Sequence, residues 1–396
     1  MPRQHSALRT DNEPGLFTRP FLLLCATMFL GYSNQALLTP TIPLYVDHLG
    51  GSAFVAGCAL LAFSVPSFAI RPYIGMLADR WNAAAVLAGG LVLLALGSTI
   101  LVAPLLALVF VGAVLRGLGW AGLNTGGYTT LALTAPEQRR GEAAGYYTSV
   151  TASASVVLPA LALWMIGSGG YFWVFVLSAA LPLAGLPLAL RPARAAPASR
   201  SRPQSDAAPG GLIDRGVLLA TGLNLCATLV MPSVMAFVPL YARSLGVEHI
   251  GWFYVLAGLT NILARPALGR RSDAMGRGPA IGLGFGAQCI GLALIVAASD
   301  VGLLLTGGVF VALGSSLVSS TTTALAMDLA DPARRGQAMA SFSISFQIGG
   351  GAGAILSGAL ADLVGFRGMY LGSICITLGG LALLAAARKS LPRPAR

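Results

Sequence analysis

The sequence predicts an all-α membrane protein of twelve transmembrane helices, folded as two pseudo-symmetric six-helix bundles. Three observations carry that expectation. Hydrophobic residues make up 56% of the 396-residue chain and charged residues only 10%, where a soluble domain carries about 25% charge. Mean hydropathy is +0.76, so the chain cannot cover itself with a water-compatible surface. One segment is also written twice: Arg71-Pro72-Tyr73-Ile74-Gly75-Met76-Leu77-Ala78-Asp79-Arg80 returns as Arg265-Pro266-Ala267-Leu268-Gly269-Arg270-Arg271-Ser272-Asp273. A repeated turn inside a very apolar chain marks an internally duplicated bundle, an architecture typical of transporters.

A helix needs roughly 20 apolar residues to cross the hydrocarbon core, and twelve runs meet that length. In the first half they are 20–46, closing at Asp47-His48; 52–76, closing at the charged turn Asp79-Arg80; 83–103; 105–132; 142–166, opening at Glu142; and 170–190, ended by Arg191. The second half supplies 213–241; 248–269, ended by Arg270-Arg271; 279–299; 302–328, closed by Asp328; 337–361, closed by Asp362; and 366–387. Short alternating segments of the kind that build a membrane barrel are missing from the pattern. The segment 1–19 is polar and is expected to form a cytoplasmic tail without a removable leader. The domains expected are therefore a tail (1–19), an N-terminal bundle (20–190), a cytoplasmic linker (191–212), a C-terminal bundle (213–387) and a cytoplasmic tail (388–396). The linker reading rests on a Pro-, Ala-, Ser- and Arg-rich stretch with no apolar period.

The net charge of +11 could suggest a nucleic-acid partner, but its distribution argues otherwise. Nearly all basic residues fall on one side of the predicted spans, in both tails, the linker and the turns at Arg80, Arg139-Arg140, Arg270-Arg271, Arg277 and Arg334-Arg335. By the positive-inside bias this places both termini in the cytoplasm. The partners expected are a lipid bilayer and a small-molecule substrate, with no nucleic acid, and the unit expected is a monomer. Cys25, Cys58, Cys226, Cys289 and Cys375 each lie in a different apolar run and read as small hydrophobes; His5, His48 and His249 are scattered. No metal site, nucleotide-binding loop or catalytic arrangement emerges, so no enzyme and no cofactor are expected.

Two further blocks repeat with the same order and membrane side. Pro43-Leu44-Tyr45 with Leu49-Gly50 matches Pro239-Leu240-Tyr241 with Leu245-Gly246, and Pro136 with Arg139-Arg140-Gly141 matches Pro332 with Arg334-Arg335-Gly336. With these blocks in place, the chain resembles the major facilitator superfamily over essentially its whole length. The family signature Gly-x-x-x-Asp-Arg between spans 2 and 3 stands here as Gly75-x-x-x-Asp79-Arg80, with Trp81-Asn82 in place of the usual Gly-Arg. The second copy, Gly269-x-x-x-Asp273-Ala274-Met275-Gly276-Arg277, keeps the later Gly and Arg. Span 4 carries Arg116-Gly117-Leu118-Gly119-Trp120-Ala121-Gly122, similar to the family's Arg-x-x-x-Gly motif. The glycine pair common on span 5 of family antiporters is replaced by small residues from Ser149 to Ser155 ahead of Pro159, while span 11 holds Gly349-Gly350-Gly351-Ala352-Gly353.

The resemblance implies alternating access around a midplane site. Asp79 would pair with Arg139 or Arg140, and Asp273 with Arg334 or Arg335, as a conformational latch; Gly75 and Gly269 would let helices approach at that joint. Arg71 and Arg265 precede prolines inside apolar helices and either snorkel to the interface or line the inner mouth and attract anions. Arg116, near the middle of span 4, is too deep to snorkel easily and is a candidate for tuning a proton carrier or holding a substrate carboxylate. None of the 14 acidic residues sits mid-span, so Glu142 and Asp328 are the best remaining proton carriers. The polar cavity lining is expected from Asn34, Gln35, Asn124, Tyr146, Tyr147, Asn224, Asn261 and Gln347 flanked by Phe342 and Phe346, each amide being as able to bridge helices as to touch cargo. Proton-driven export of a small organic molecule (a drug, metabolite or metal-chelating metabolite) from a bacterial cell across its inner membrane is the first expectation. Proton-coupled uptake of an organic anion is the alternative, and a non-transporting receptor or scaffold is the third.

Overall fold

The computed structural model describes residues 16–136, 139–191, 215–247, 250–331 and 335–388, leaving aside the side chains of Asp79, of Arg215, of residues 265–274 and 335–337, and of Ala340. Most of both tails and of the linker, and Arg334, lie outside that description. The first half contains α1 (Arg19–His48), α2 (Ala53–Ala69), α3 (Arg71–Arg80), α4 (Ala83–Thr99), α5 (Leu106–Thr134), α6 (Arg140–Gly169) and α7 (Tyr171–Leu190). The second contains α8 (Leu218–Met235), α9 (Val238–Ser244), α10 (Gly251–Met275), α11 (Arg277–Val296), α12 (Val301–Leu329) and α13 (Arg335–Ala386).

Among the described residues nine helices are long and apolar enough to cross a membrane, and the bent pair α2–α3 makes a tenth. Gly365, at φ +75° and ψ 172°, breaks α13 into two spans. With α10, whose apolar part is Gly251–Ala264, the architecture is the twelve-span, two-bundle one expected. Polar side chains set several helix starts: Ser52 caps α2 through the Val55 amide, Asn82 caps α4 through Ala84, and Asp300 caps α12 through Leu303. Asn82, which departs from the family signature, thus has a structural task of its own.

The duplication reaches the backbone. Among the described residues, four of the five glycines with positive φ are two matched pairs, Gly50 with Gly246 after the first span of each half, and Gly170 with Gly365 before the last. Only glycine takes that conformation without strain. The copies also differ: α1 runs unbroken through Pro40 and Pro43, whereas predicted span 213–241 is interrupted at Ala236–Phe237 between α8 and α9. Span 2 bends by 45° between α2 and α3, where Pro66 and the Arg71-Pro72 pair remove helical hydrogen-bond donors and disfavour helix before proline.

Three hydrophobic cores show how the halves meet. One unites them near the face opposite the chain termini, here the distal face; it joins Leu37, Ile42 and Tyr45 to Val234, Phe237 and Tyr241. Toward the terminal face the core splits. Met28, Leu91, Leu123 and Tyr147 pack within the first half alone, while Leu223, Phe285, Val318 and Phe342 pack within the second. The halves are therefore fused distally and separate terminally. α2 leans on α13 across the seam, and beyond the bend α3 turns away to pack on α4 and α5 of its own half.

Candidate functional site: a cavity between the halves

A cavity of about 340 Å³ lies just on the terminal side of this seam, within the range of small-molecule sites. The first half lines it with Gln35 and Thr39 of α1, Leu60, Phe63 and Ser64 of α2, and Trp120 of α5. The second half contributes Thr228, Met231, Pro232, Met235, Phe346, Gln347 and Gly350, with Ala236 at the α8 break. Sequence reasoning named Gln35, Phe346 and Gln347 but missed the rest of this wall. Met231 and Met235 carry no polar signal, and Phe63 and Trp120 look like ordinary apolar-run residues.

Arg116 stands behind the first-half wall and is 3% exposed. Its Nη2 donates to Gln35 Oε1 at 2.7 Å and its Nε to Asn34 Oδ1 at 3.5 Å. The guanidinium carbon sits 5.4 Å from the centre of the Phe63 ring, a cation–π contact. Among the described residues its partners are thus two neutral amides and a ring face, with no carboxylate among them. A buried charge without an opposite charge is costly, and in a membrane span it marks a functional position. Gln35 and Phe63 both bound the cavity, so the positive potential of Arg116 reaches it through them.

The other predicted lining residues divide by location. Asn34 is fully buried and donates to Ser98 Oγ at 2.7 Å and the Ser178 carbonyl at 2.6 Å, tying α1 to α4 and α7. Asn224 does the same in the second half, donating to Ser345 Oγ at 2.8 Å and accepting from Thr322 Oγ1 at 3.2 Å. Both are helix bridges. Asn261 is satisfied on its own helix by the Ala257 carbonyl. Phe342 is 2% exposed in the second-half core and meets Phe346 edge to face at 5.7 Å, so only Phe346 of the pair reaches the cavity. Tyr146 is exposed near the terminal face against Phe17, and Tyr147 is buried beside Tyr128. Asn124 accepts from Tyr32 Oη at 2.6 Å.

The proton-carrier candidates sit at terminal-face helix ends in ion pairs. Glu142 is held by Arg139 at 2.8 and 2.9 Å, and Asp328 by Arg277 at 2.9 Å. Of the latch candidates, Gly75 and Arg80 lie on α3 and Gly269 on α10, and Arg140 opens α6. The side chains of Asp79, Arg265, Asp273 and Arg335, and all of Arg334, are among the parts left undescribed.

Sequence reasoning also missed the clasp that closes the distal face. The Asp362 carboxylate, on the second half, accepts from the amides of Ala53 at 3.0 Å and Phe54 at 2.9 Å, the first turn of α2 in the first half. An anion at a helix N-terminus is stabilising there. Asp47 accepts from Arg243 at 3.3 Å; these are equivalent positions of the repeated Pro-Leu-Tyr block, so the two copies pair with each other across the pseudo-axis. Between the clasps the backbones nearly touch: a Cβ at Gly57 would collide with the Ala354 carbonyl, and one at Gly358 with that of Ala53.

Comparison with known proteins completes the assignment. The staphylopine export protein of Staphylococcus aureus is 24% identical over 395 residues, covering 96% of this chain and 99% of its own. An uncharacterized MFS-type transporter of Bacillus subtilis, YddS, is 28% identical over 365 residues, covering 85% and 83%. A bacterial homolog of the human lysosomal transporter Spinster, in an inward-facing and unoccupied conformation, superposes with a TM-score of 0.76 at 12% identity over 97% of this chain and 100% of its own. A POT family transporter in complex with 5-aminolevulinic acid gives a TM-score of 0.79 at 13% identity over 96% and 98%. Residues 24–248 and 217–396, which together span nearly the whole chain, each match the model of the Major Facilitator Superfamily, and the chain belongs to that superfamily.

Proposed function

We propose that this protein is a secondary active exporter of a small organic anion, working by alternating access in the inner membrane of a bacterium and driven by proton antiport. The observation that carries the anionic cargo is Arg116, a buried guanidinium with amide and ring partners just behind a small-molecule cavity. The outward direction is supported by the name of the staphylococcal relative, aligned over nearly its whole length. The basic residues gathered on the terminal side support cytoplasmic termini. The working units of the cycle would be the halves 20–190 and 213–387, moving about the linker 191–212 between tails 1–19 and 388–396, in a monomer.

In this reading the described state has its distal face closed by Asp362 and Asp47 and its cavity reached from the cytoplasm. Cargo on Arg116 would draw the second-half wall inward, the distal clasps would part, and the signature turns would meet as the opposite latch. Asp79→Asn is then expected to keep the protein open to the cytoplasm, read as increased labelling of cysteines at that mouth over those at the distal one. Uptake by proton symport is the second reading, because Arg116 serves an anion travelling in either direction.

Transport in proteoliposomes, with an imposed pH gradient and a panel of labelled carboxylates and neutral isosteres, tests the proposal. Carboxylates moving against the proton flux, with transport lost in Arg116→Ala, support it. Movement with the protons makes the protein an importer, and equal transport of the neutral isosteres removes the role given to Arg116.

A further inference from the structure

Below Arg116 the first half carries a polar and aromatic strip that shares only Trp120 with the wall of the central cavity. On α5, Arg116, Trp120, Asn124 and Tyr128 follow at four-residue spacing, which stacks them on one face of the helix. The strip runs about 18 Å from Arg116 to Tyr128 at ~1.5 Å per residue. Tyr32 of α1 bridges it, packing 4.6 Å from the Trp120 ring and donating to Asn124. At its lower end Arg71, at the start of α3, lies within electrostatic reach of the phenols of Tyr32 and Tyr128. Two polar atoms there are buried without a hydrogen-bond partner among the described residues: Arg71 Nε and Tyr147 Oη. Tyr147 is itself fully buried, 5.1 Å from the Tyr128 ring. Orphaned buried donors are uncommon and call for an explanation.

We propose that Arg71, Tyr32, Asn124 and Tyr128 form a second anion station between the terminal mouth and the central cavity, which holds the cargo's anionic group before Arg116 takes it over. The inference rests on the anionic cargo of the preceding section. The guanidinium and the Tyr128 hydroxyl offer donors, while Tyr32, its own proton given to Asn124, joins Trp120 and Tyr128 in offering flat apolar contact. The chemistry selects small carboxylates with a planar or apolar body. Two cations in series in one half pass an anion along without a single deep trap, and only the second stands behind the wall of the central cavity.

The strip contains its own reporter. Trp81, Trp164, Trp173 and Trp252 are all exposed, so replacing these four with Phe leaves Trp120 as the single tryptophan of the full-length chain. In nanodiscs of zwitterionic lipid, iodide quenching of Trp120 reads anion access and acrylamide quenching reads neutral access. Arg71→Gln is expected to lower iodide quenching by about threefold or more, while acrylamide quenching and the Arg71→Lys variant stay unchanged. Arg191→Gln, at the exposed end of α7, controls for general charge. Benzoate, but not benzamide, is expected to protect Trp120 from iodide, with more benzoate needed in Arg71→Gln. An equal loss in Arg191→Gln, or no loss in Arg71→Gln, overturns the station. If Arg71→Gln is silent while Arg116→Gln abolishes benzoate protection, the station falls and the central site stands. If neither variant changes anything, both fall.

Discussion

The two walls of the central cavity occupy equivalent places in a duplicated chain and have opposite chemistry. Gln35 and Thr39 line it from α1; the residues 196 positions later, Met231 and Met235, line it from α8. Behind Gln35 stand Asn34 and Arg116, and the counterpart of Asn34 is Val230, buried in the apolar core. Both halves keep the same positive-φ turns and the same close helix seams, which the fold needs, while the cavity positions diverged. One wall is polar and is backed by a buried guanidinium. The other became polarizable and adaptable, as methionine permits, with Thr228 and Gln347 as its polar points.

The largest effect should come from removing the charge that distinguishes the walls. Arg116→Ala is expected to cut transport of a carboxylate by about 100-fold, the cost of losing one partner from a desolvated charge pair, with correct membrane insertion checked by thermal unfolding. An intact rate would mean the walls do not differ in the way proposed. Next come the seams both halves share. Gly57→Val or Gly358→Val should disfavour the distally closed state by about 1–3 kcal/mol of overpacking, raising the labelling of a distal cysteine several-fold in a cysteine-free background. Gly258→Val, against Val156 on the companion seam, should do the same, and a silent substitution there would show that the two seams are not equivalent.

A reciprocal exchange sharpens the comparison further. Gln35→Met removes the 2.7 Å acceptor of Arg116 and is expected to raise KM by about tenfold, near the lower end of what a hydrogen bond to a charged group contributes. Met231→Gln, its counterpart, should leave KM within about twofold, since no charge behind it needs a partner. Equal effects would contradict the asymmetry. The smallest effect belongs to Asp47 and Arg243, whose side chains are 52% and 53% exposed. An exposed pair contributes at most about 1 kcal/mol, so Asp47→Arg should open the distal face only slightly more often. Adding Arg243→Asp, which restores the pair in reverse, should return distal labelling to its original level.

Much of the fold was legible because a membrane makes composition and length decisive. The twelve runs and the repeated blocks follow from residues whose effects are local, whereas the bend at Arg71-Pro72 inside the run 52–76 came only with the structure. The site was legible only where chemistry broke the apolar background, as at Arg116 and Gln35. Asn34 and Asn224 show the limit. As sequence they are indistinguishable from cavity amides, yet Ser98 and Ser345, far along the chain, make them bridges. Helices apolar all round lack the strong amphipathic period that would tell which face meets cavity, neighbour or lipid. Phe342 and Phe346 differ by one helical turn and lie respectively in core and cavity.

By itself the sequence determined the class, the number of spans, the duplication and the presence of an unusual intramembrane cation, because each depends on composition, spacing or a short motif. Tertiary structure alone decided which residues share the cavity, that the copies Asp47 and Arg243 meet each other, and that Asp362 caps a helix 308 residues away in sequence. These are contacts between distant segments, fixed by how two bundles pack against each other, and no local pattern in either bundle encodes them.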